Sequence, residues 1–256
     1  MGSIIAIVNQ KGGVGKTTTA INLGTALAEA GKMVLLIDTD PQGNTTSGVG
    51  VYEEKIENTL YDLYTGQKDV LEVLYPTAIS NLHLLPGSHQ LSGIEVEILH
   101  EEGRELHLKK ILASIQEGYD YILIDCPPSL GLLTVNALTA ANSVIVPVQC
   151  EFYALEGLLY QMKTLALIKE DINPALEVEG IVLTMHDPRT TLSADVVKKT
   201  RELFGDKVFQ TCIPRNVRIS EAPSYGQPIS VYAPKSKGTD AYTKLAKELI
   251  GHGTKQ

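Results

Sequence analysis

Short apolar runs alternate along the chain with longer segments in which apolar residues recur every three or four positions. Most of the runs are continuously apolar, which is typical of strands that helices cover on both faces of a parallel sheet. The periodic segments predict amphipathic helices. Strands are predicted at residues 4–8, 34–37, 82–85, 121–124, 143–148 and 180–183, and helices at 18–30, 104–116, 155–169, 193–204 and 239–250. This alternation indicates βαβ units and a doubly wound, mostly parallel sheet in a three-layer α/β/α fold.

The composition is that of an ordinary globular protein, with 43% hydrophobic and 20% charged residues among 256. Because no linker, repeat or low-complexity tract interrupts the chain, residues 1–256 are predicted to form a single domain. No apolar run approaches the roughly 20 residues that span a bilayer, and no signal peptide opens the chain, so we expect a cytoplasmic protein with no membrane partner. The cysteines Cys126, Cys150 and Cys212 form no CxxC pair, which favours buried thiols over zinc ligands or disulfides.

A glycine-rich segment, QKGGVGKTT at residues 10–18, joins the first predicted strand to the first predicted helix. Its glycines allow the backbone to wrap around phosphate oxygens, and the helix N-terminus adds the positive end of its dipole. Lys16 can reach the β- and γ-phosphates, and the Thr17 hydroxyl can ligate Mg²⁺. In this context the segment predicts a P-loop NTPase fold that binds ATP or ADP with Mg²⁺. The predicted nucleotide-binding residues are Lys11, Gly12, Gly13, Val14, Gly15, Lys16, Thr17 and Thr18.

The loop departs from the common GxxxxGK[ST] pattern, because Gln10 stands where the first glycine is usual and Lys11 opens the loop. A second cation beside a triphosphate can neutralise the charge that develops during phosphoryl transfer. Lys11 and Lys16 are therefore both predicted to be catalytic.

Two acidic segments follow predicted strands at the sheet edge where open α/β folds bind ligands. In the first, DTDPQGN, Asp40 is the candidate for orienting the attacking water, and Asp38 is placed nearer Mg²⁺ or its waters. In the second, the apolar run YILI ends in Asp125, a pattern typical of a Walker B carboxylate in the metal shell. The predicted magnesium ligands are thus Thr17 with Asp38 or Asp125.

Four segments together resemble the ParA/Soj chromosome-partitioning ATPases: KGGVGKTT, DTDPQGN, YDYILIDCPPSLG and IPRNVRISEAPSYGQP. The first resembles the deviant Walker A motif of that family, with its additional lysine at Lys11. The resemblance covers residues 4–249, almost the whole chain. It implies a slow ATPase whose ATP-bound form is a nucleotide-sandwich homodimer. It also implies that this dimer binds double-stranded DNA on the nucleoid without sequence specificity, and that ParB, a centromere-binding protein, stimulates hydrolysis.

The resemblance also implies roles for individual residues of the nucleotide site. Lys11 would reach across the dimer to the phosphates of the partner subunit. Asp40 would be needed for hydrolysis, and Pro214 and Asn216 would contact the adenine.

DNA contacts are implied by the resemblance for Arg189 and Arg218. Although the net charge at pH 7 is −8, basic residues are concentrated in this last third of the chain. These basic residues include Lys198, Lys199, Arg201, Arg215, Lys235 and Lys237. A dimer would double such a basic face and strengthen its phosphate contacts. No aromatic residues are interleaved with these charges, which argues against base stacking and sequence readout.

Three other functions fit parts of the sequence. A MinD-like cell-division regulator shares the lysine-bearing loop but needs an amphipathic membrane anchor, and the C-terminal tail 246–256 lacks the apolar face for one. A reductase of the nitrogenase iron-protein type needs paired cysteines that hold a cluster across the dimer, and Cys126 and Cys150 do not match that pattern. A nucleoid-based cargo-positioning ATPase with a different partner is not separated from a partitioning ATPase by the sequence.

Overall fold

A computed structural model describes residues 2–253, apart from the side chain of Glu53. One sheet of seven strands lies at the centre of the described residues, in the order β3-β4-β2-β5-β1-β6-β7. All neighbouring strands are parallel except the antiparallel pair β3 and β4. The strands are β1 (Ser3–Ile7), β2 (Val34–Asp38), β3 (Tyr75–Pro76), β4 (Leu82–Leu85), β5 (Tyr121–Asp125), β6 (Ser143–Gln149) and β7 (Glu177–Thr184). All six predicted strands are confirmed, and only the two-residue β3 was missed.

Helices cover both faces of this sheet, which confirms the three-layer α/β/α prediction. They are α1 (Lys16–Glu29), α2 (Asn44–Gly48), α3 (Leu60–Tyr64), α4 (Val70–Val73), α5 (Leu91–Glu97), α6 (His107–Ala113), α7 (Leu132–Ala140), α8 (Ala154–Asp171), α9 (Thr191–Phe204), α10 (Val217–Glu221), α11 (Ile229–Tyr232) and α12 (Lys237–Gly253). Five 3₁₀ segments, Glu53–Lys55, Arg104–Leu106, Gln116–Gly118, Gly205–Lys207 and Ala222–Tyr225, connect them. The hydrophobic core on one face includes buried side chains of α3 to α9, and the core on the other includes those of α1 and α10 to α12.

The prediction of one continuous helix over 104–116 was wrong. Arg104–Leu106 is a 3₁₀ turn, α6 follows it, and a second 3₁₀ turn comes after α6. The side chain of Asn136 explains the first break. Its Nδ2 donates to the carbonyl of Arg104 at 2.9 Å and its Oδ1 accepts from the amide of Leu108 at 3.1 Å. In a continuous α-helix these two backbone groups would bond to each other, so Asn136 replaces that hydrogen bond with two of its own.

The C-terminal helix α12 uses its apolar side chains in the core. Ala241, Tyr242, Leu245, Ala246 and Leu249 are all buried. None of the helices within residues 2–253 combines the length and the apolar character that crossing a membrane requires. The tail 246–256, which the sequence argument about a membrane anchor used, is described only as far as Gly253, and residues 254–256 lie outside the described part of the chain.

The cysteines are free thiols, as expected. Cys126 and Cys150 are buried, and Cys212 is half-buried. Burial is the main cause that raises the pKa of each thiol, to about 11 for Cys150. These thiols are therefore protonated at neutral pH.

Candidate nucleotide and magnesium site

The glycine-rich segment forms a loop between β1 and α1. Gly13 and Gly15 have φ angles of 75° and 92°, in the left-handed region that favours glycine. Gly15 caps α1, and its carbonyl accepts the amide of Thr19 at 2.9 Å. Since no side chain caps α1, the amide groups of its first turn can donate to a bound phosphate.

Lys16 is buried at the start of α1. Its Nζ donates to the carbonyl of Lys11 at 3.3 Å across the loop. Burial lowers the pKa of Lys16, and the negative charges of Asp125 and Asp40 oppose this effect. The loop therefore holds a cation inside the protein, close to two carboxylates, where a phosphate can be bound.

Lys11 lies in a different environment, although it belongs to the same loop. Its Nζ forms an ion pair with Glu151, which comes shortly before α8. The two side chains remain 49% and 31% exposed. In the single subunit, the ammonium group of Lys11 is thus paired with a carboxylate of its own chain.

Gln10, which stands in place of the usual first glycine, is held by α8. The backbone amide of Gln10 donates to Oε1 of Gln161 at 3.1 Å, and its Nε2 donates to Oγ1 of Thr164 at 3.4 Å. Both acceptors are buried on α8. Helix α8 therefore fixes the entrance of the phosphate loop through a side chain that glycine lacks.

Asp38 and Asp125 end the neighbouring strands β2 and β5, where they are register partners. Both carboxyl groups are fully buried. Oδ2 of Asp38 accepts the amide and the hydroxyl of Thr46 at 2.8 and 2.7 Å, and its Oδ1 accepts the amide of Asp40 at 3.2 Å. Burial raises the pKa of Asp38 to about 6. Since both of its oxygens already accept hydrogen bonds, Asp38 positions the segment that carries Asp40.

Asp125 has one oxygen left over. Its Oδ2 accepts the hydroxyl of Thr45 at 2.7 Å, whereas its Oδ1 is buried and has no hydrogen-bond partner among the described residues. Burial, followed by the charge of Asp38, raises the pKa of Asp125 to about 7, and the hydroxyls of Thr45 and Thr17 oppose this effect. A buried carboxylate oxygen without a partner needs a cation or a bound water to satisfy it.

These residues fit Mg²⁺. The ion takes few ligands from a protein and completes its shell with phosphate oxygens and water. Accordingly, the described residues contain no group of three or more His, Cys, Asp or Glu side chains that could hold a metal by themselves. Asp125 and Thr17 are therefore the candidate magnesium ligands.

Asp40 completes the group. It is buried, and its Oδ1 accepts the amide of Gln42 at 3.0 Å, which fixes the carboxylate in a tight turn. Its charge acts on the pKa values of Lys16, Asp38 and Asp125. The structure thus brings Lys16, Asp38, Asp40 and Asp125 to one end of the sheet, as the sequence predicted.

A cavity of about 390 Å³ opens beside the loop. Its lining includes Gly15 and Thr18 of the phosphate loop together with Pro214 and Asn216, the two residues expected to contact adenine. Oδ1 of Asn216 accepts the amide of Arg218 at 2.8 Å and so caps α10, which leaves its amide nitrogen as a donor. The other lining residues are Thr184, Met185, Ile213, Arg215, Val217, Ile219, Ser220, Pro223 and Tyr242.

The sequence reasoning placed none of these other residues in the nucleotide site, and two of them show why. Met185 follows β7 with a φ angle of 51°, a backbone conformation that is rare outside glycine, and nothing in the sequence signals it. Thr184 donates through its hydroxyl to the carbonyl of Val14 at 2.8 Å, so the end of β7 braces the phosphate loop. No pattern in a single sequence predicts that long-range contact.

Arg189 and Arg218 lie outside this cavity, on the surface. Nε and Nη2 of Arg189 donate to both carboxylate oxygens of Asp187 at 2.9 and 2.8 Å. Nη1 of Arg218 donates to Glu221 at 2.9 Å. Each guanidinium group is exposed and paired with a carboxylate of its own subunit, so a DNA phosphate would have to compete with that carboxylate.

Comparisons with known proteins extend over almost the whole chain. The AAA domain family matches residues 2–178. The chain is 53% identical over 250 residues to the chromosome-partitioning ATPase Soj of Treponema pallidum, with 98% of each chain covered. It is 52% identical over 249 residues to the chromosome partitioning protein ParA of Caulobacter vibrioides, covering 96% of this chain and 93% of that protein.

Among solved structures, the cobyrinic acid a,c-diamide synthase of Mycobacterium smegmatis with bound ADP and magnesium superposes with a TM-score of 0.87. The two chains are 38% identical, and the match covers 99% of this chain and 96% of the other. The full-length identity, the P-loop fold and the lysine-bearing loop agree: the chain belongs to the ParA/Soj family of chromosome-partitioning ATPases.

Proposed function

We propose that this partitioning ATPase works as an ATP-dependent switch on DNA. ATP and Mg²⁺ bring two subunits into a nucleotide-sandwich homodimer, and the dimer binds double-stranded DNA without sequence specificity. A ParB-like, centromere-binding protein stimulates the slow hydrolysis, which releases the dimer. The proposal places the protein in the cytoplasm, associated with the nucleoid, with residues 1–256 acting as one domain. The observation that carries the nucleotide and Mg²⁺ part of this proposal is the unpartnered, buried Oδ1 of Asp125 near buried Lys16.

The phosphate chemistry follows from the residues at the loop. Lys16 and the amides of the first turn of α1 hold the phosphates, while Thr17 and Asp125 hold Mg²⁺. The ion supplies positive charge that neutralises the β- and γ-phosphate oxygens during transfer. Asp40 orients the attacking water, and Asp38 positions the Asp40 segment, because its own oxygens accept Thr46 and the Asp40 amide.

The nucleoside occupies the cavity beside the loop in this proposal. Pro214 contributes an apolar surface for the adenine ring, and the amide nitrogen of Asn216 contributes a donor. Asn216 also caps α10, the helix that carries Arg218. A residue that lines the nucleoside cavity and a residue proposed to contact DNA are therefore close together in the chain. This adjacency supports a DNA surface that depends on the nucleotide.

Lys11 completes the site from the partner subunit in this proposal. In the single subunit its ammonium group is paired with Glu151. Dimer formation exchanges that carboxylate for the phosphates bound by the partner. The exchange couples the nucleotide state to the oligomeric state.

Three proteins test the nucleotide part of the proposal: the parent, Lys16→Ala and Asp40→Ala. We expect the parent to hydrolyse ATP slowly, Lys16→Ala to form no ATP-dependent dimer, and Asp40→Ala to accumulate an ATP dimer that stays on DNA. Light scattering after gel filtration measures the dimer, and phosphate release measures turnover. Undiminished ATP affinity in Lys16→Ala, or hydrolysis at the parental rate in Asp40→Ala, would contradict the assignments.

The DNA part is tested in the Asp40→Ala background. Arg189→Glu and Arg218→Glu are each expected to weaken binding to DNA duplexes of unrelated sequence, by the same factor for every duplex. Each should also reduce the salt dependence of DNA binding, while the ATP dimer persists. Lys109→Glu is the charge-matched control, because Lys109 is exposed on α6, which packs on the opposite face of the sheet from the helix α10 that carries Arg218. Fluorescence anisotropy at several salt concentrations measures the affinity. An affinity unchanged from that of the Lys109→Glu control would exclude the two arginines from the DNA surface.

A further inference from the structure

Each of the two arginines that the proposed function assigns to DNA is held by a carboxylate of its own chain. The guanidinium group of Arg189 donates through Nε and Nη2 to the two oxygens of Asp187, at 2.9 and 2.8 Å. The guanidinium group of Arg218 donates through Nη1 to Oε2 of Glu221 at 2.9 Å. The two arginine side chains are 85% and 60% exposed. It is therefore the carboxylates, and not burial, that limit access of the arginines to a phosphate.

The segments that carry these two ion pairs lie side by side. His186 after β7 and Pro214 before α10 form a parallel bridge. The amide of Arg215 donates to the carbonyl of His186 at 3.0 Å. The hydrogen bonds from Arg189, and with them the charge of Arg215, hold the pKa of Asp187 below its usual range. Both ion pairs thus belong to one surface, and Asp187 is ionised there at neutral pH.

A second partner holds each carboxylate in place. Oδ1 of Asp187 also accepts the backbone amide of Arg189 at 3.0 Å. Oε2 of Glu221 also accepts the hydroxyl of Tyr232 at 3.1 Å. Neither bond involves a guanidinium group, so both can remain when the arginine side chain turns away. Each carboxylate can therefore release its arginine and take it back without a rearrangement of the backbone.

We propose that Asp187 and Glu221 are internal competitors for the DNA phosphates, and that they keep the single subunit off DNA until a dimer forms. This inference rests on the proposed function, which assigns Arg189 and Arg218 to DNA. A carboxylate offers a guanidinium group the same paired oxygens that a phosphate offers. Each arginine must therefore give up its carboxylate before it binds DNA.

This competition affects one subunit more than it affects a dimer. Breaking an exposed ion pair of this kind weakens binding by about threefold, so the two pairs of one subunit weaken DNA binding by about tenfold. A dimer breaks twice as many pairs, but its second set of arginines meets the same duplex at a high effective concentration. A single subunit has no such compensation. The carboxylates therefore make DNA binding depend on the dimer.

Neutralising the two carboxylates tests the inference. Asp187→Asn and Glu221→Gln remove the charge but keep an oxygen for the second partner of each group. Without nucleotide, each variant should bind a duplex of unrelated sequence about threefold more tightly than the parent, and the double variant about tenfold. The salt dependence of binding should become steeper by up to about 0.9 for each freed arginine, because no carboxylate then takes up a cation. Fluorescence anisotropy at several salt concentrations measures both effects.

Glu72→Gln is the charge-matched control. Glu72 lies on α4, on the opposite face of the sheet from α10, and it forms an ion pair with Lys68. This substitution removes the same charge from the whole protein but frees no arginine of the proposed DNA surface. It should leave both the affinity and its salt dependence unchanged.

Three results would overturn the inference. They are weaker DNA binding by the neutralised variants, a gain no larger than that of Glu72→Gln, and a gain that is absent without nucleotide. The first would mean that the carboxylates orient the arginines for DNA. Equal melting temperatures of all variants ensure that folding is not the cause.

The ATP dimer of the Asp40→Ala background separates this inference from the proposed function. If that dimer binds DNA equally well with and without Asp187→Asn and Glu221→Gln, only the inference is wrong. If it binds no DNA in any variant, the proposed DNA-binding function is wrong as well.

Discussion

Replacing Asp125 by asparagine is expected to stabilise the nucleotide-free protein while removing its Mg²⁺-dependent hydrolysis. Asp125 is fully buried, and burial, followed by repulsion from Asp38, raises its pKa from 3.8 to about 7. Asparagine has nearly the same shape and carries no charge. Its carbonyl oxygen can still accept the hydroxyl of Thr45, and its amide nitrogen lies where the unpartnered Oδ1 is now.

The pKa of Asp125 gives the sign and the size of the effect. Because the pKa is higher in the folded than in the unfolded protein, the folded state binds the proton more tightly, and the free energy of unfolding falls as pH rises through about 7. A tenfold difference in proton affinity corresponds to about 1.4 kcal/mol, which sets a ceiling of about 4 kcal/mol at pH 8. We expect the variant to gain about 2 kcal/mol or more at pH 8, an increase of roughly 5–10 °C in Tm, and to gain almost nothing near pH 4.

Differential scanning calorimetry of the metal-free protein at pH 5, 6 and 8, in a chelator, measures this gain directly. Asp195→Asn is the matched control, since Asp195 is exposed on α9. Adding ATP and Mg²⁺ should raise the Tm of the parent more than that of Asp125→Asn, because only the parent retains the carboxylate that would ligate Mg²⁺. A gain that does not change with pH, or a variant less stable than the parent at pH 8, would refute the reasoning.

Two further substitutions test contacts that hold the site in place. Thr46→Val keeps the shape of the side chain but removes the donor to Asp38 and the acceptor for the amide of Gly87, so it should lower the free energy of unfolding by about 1–3 kcal/mol. Urea unfolding should show a greater loss of stability at pH 8 than at pH 5. The reason is that the pKa of Asp38 is about 6 and that hydrogen bonds to an ionised acceptor are stronger. Gly180→Ala on β7 would bring a Cβ within 2.3 Å of the Phe209 ring. This overpacking should lower the free energy of unfolding by about 1–3 kcal/mol in the same urea assay. If this contact is the cause, combining Gly180→Ala with Phe209→Leu should recover part of the lost stability.

The sequence predicted those elements of the fold whose side chains follow a simple pattern of burial. Residues 34–37 and 122–124 are buried on both faces of the sheet, so their strands appear in the sequence as continuous apolar runs. Helix α7 went unpredicted for a related reason. Most of its residues are buried around the whole helix, and no period separates such a helix from a strand or a loop.

The candidate site also has parts that the sequence predicted and parts that it did not. Its phosphate loop and its carboxylates at strand ends depend on local residue types and spacing, which one sequence contains. The contacts of Gln10 with Gln161 and Thr164, and of Lys11 with Glu151, join residues more than a hundred positions apart. Such contacts are decided by how α8 packs against the sheet, and nothing in the local pattern predicts them.

The two lysines of the loop show what this packing adds to the motif. Lys16 is buried beside Asp40 and Asp125, and it cannot leave without exposing those carboxylates to each other unscreened. Lys11 is half-exposed and bound to Glu151 in an ion pair of the kind that contributes about 0–1 kcal/mol. Moving the Lys11 ammonium group from this single carboxylate to a triphosphate therefore loses little interaction energy and pairs Lys11 with several negative charges. Under the proposed function, the same residue type thus holds the phosphates of its own subunit at one position and moves between two anions at the other.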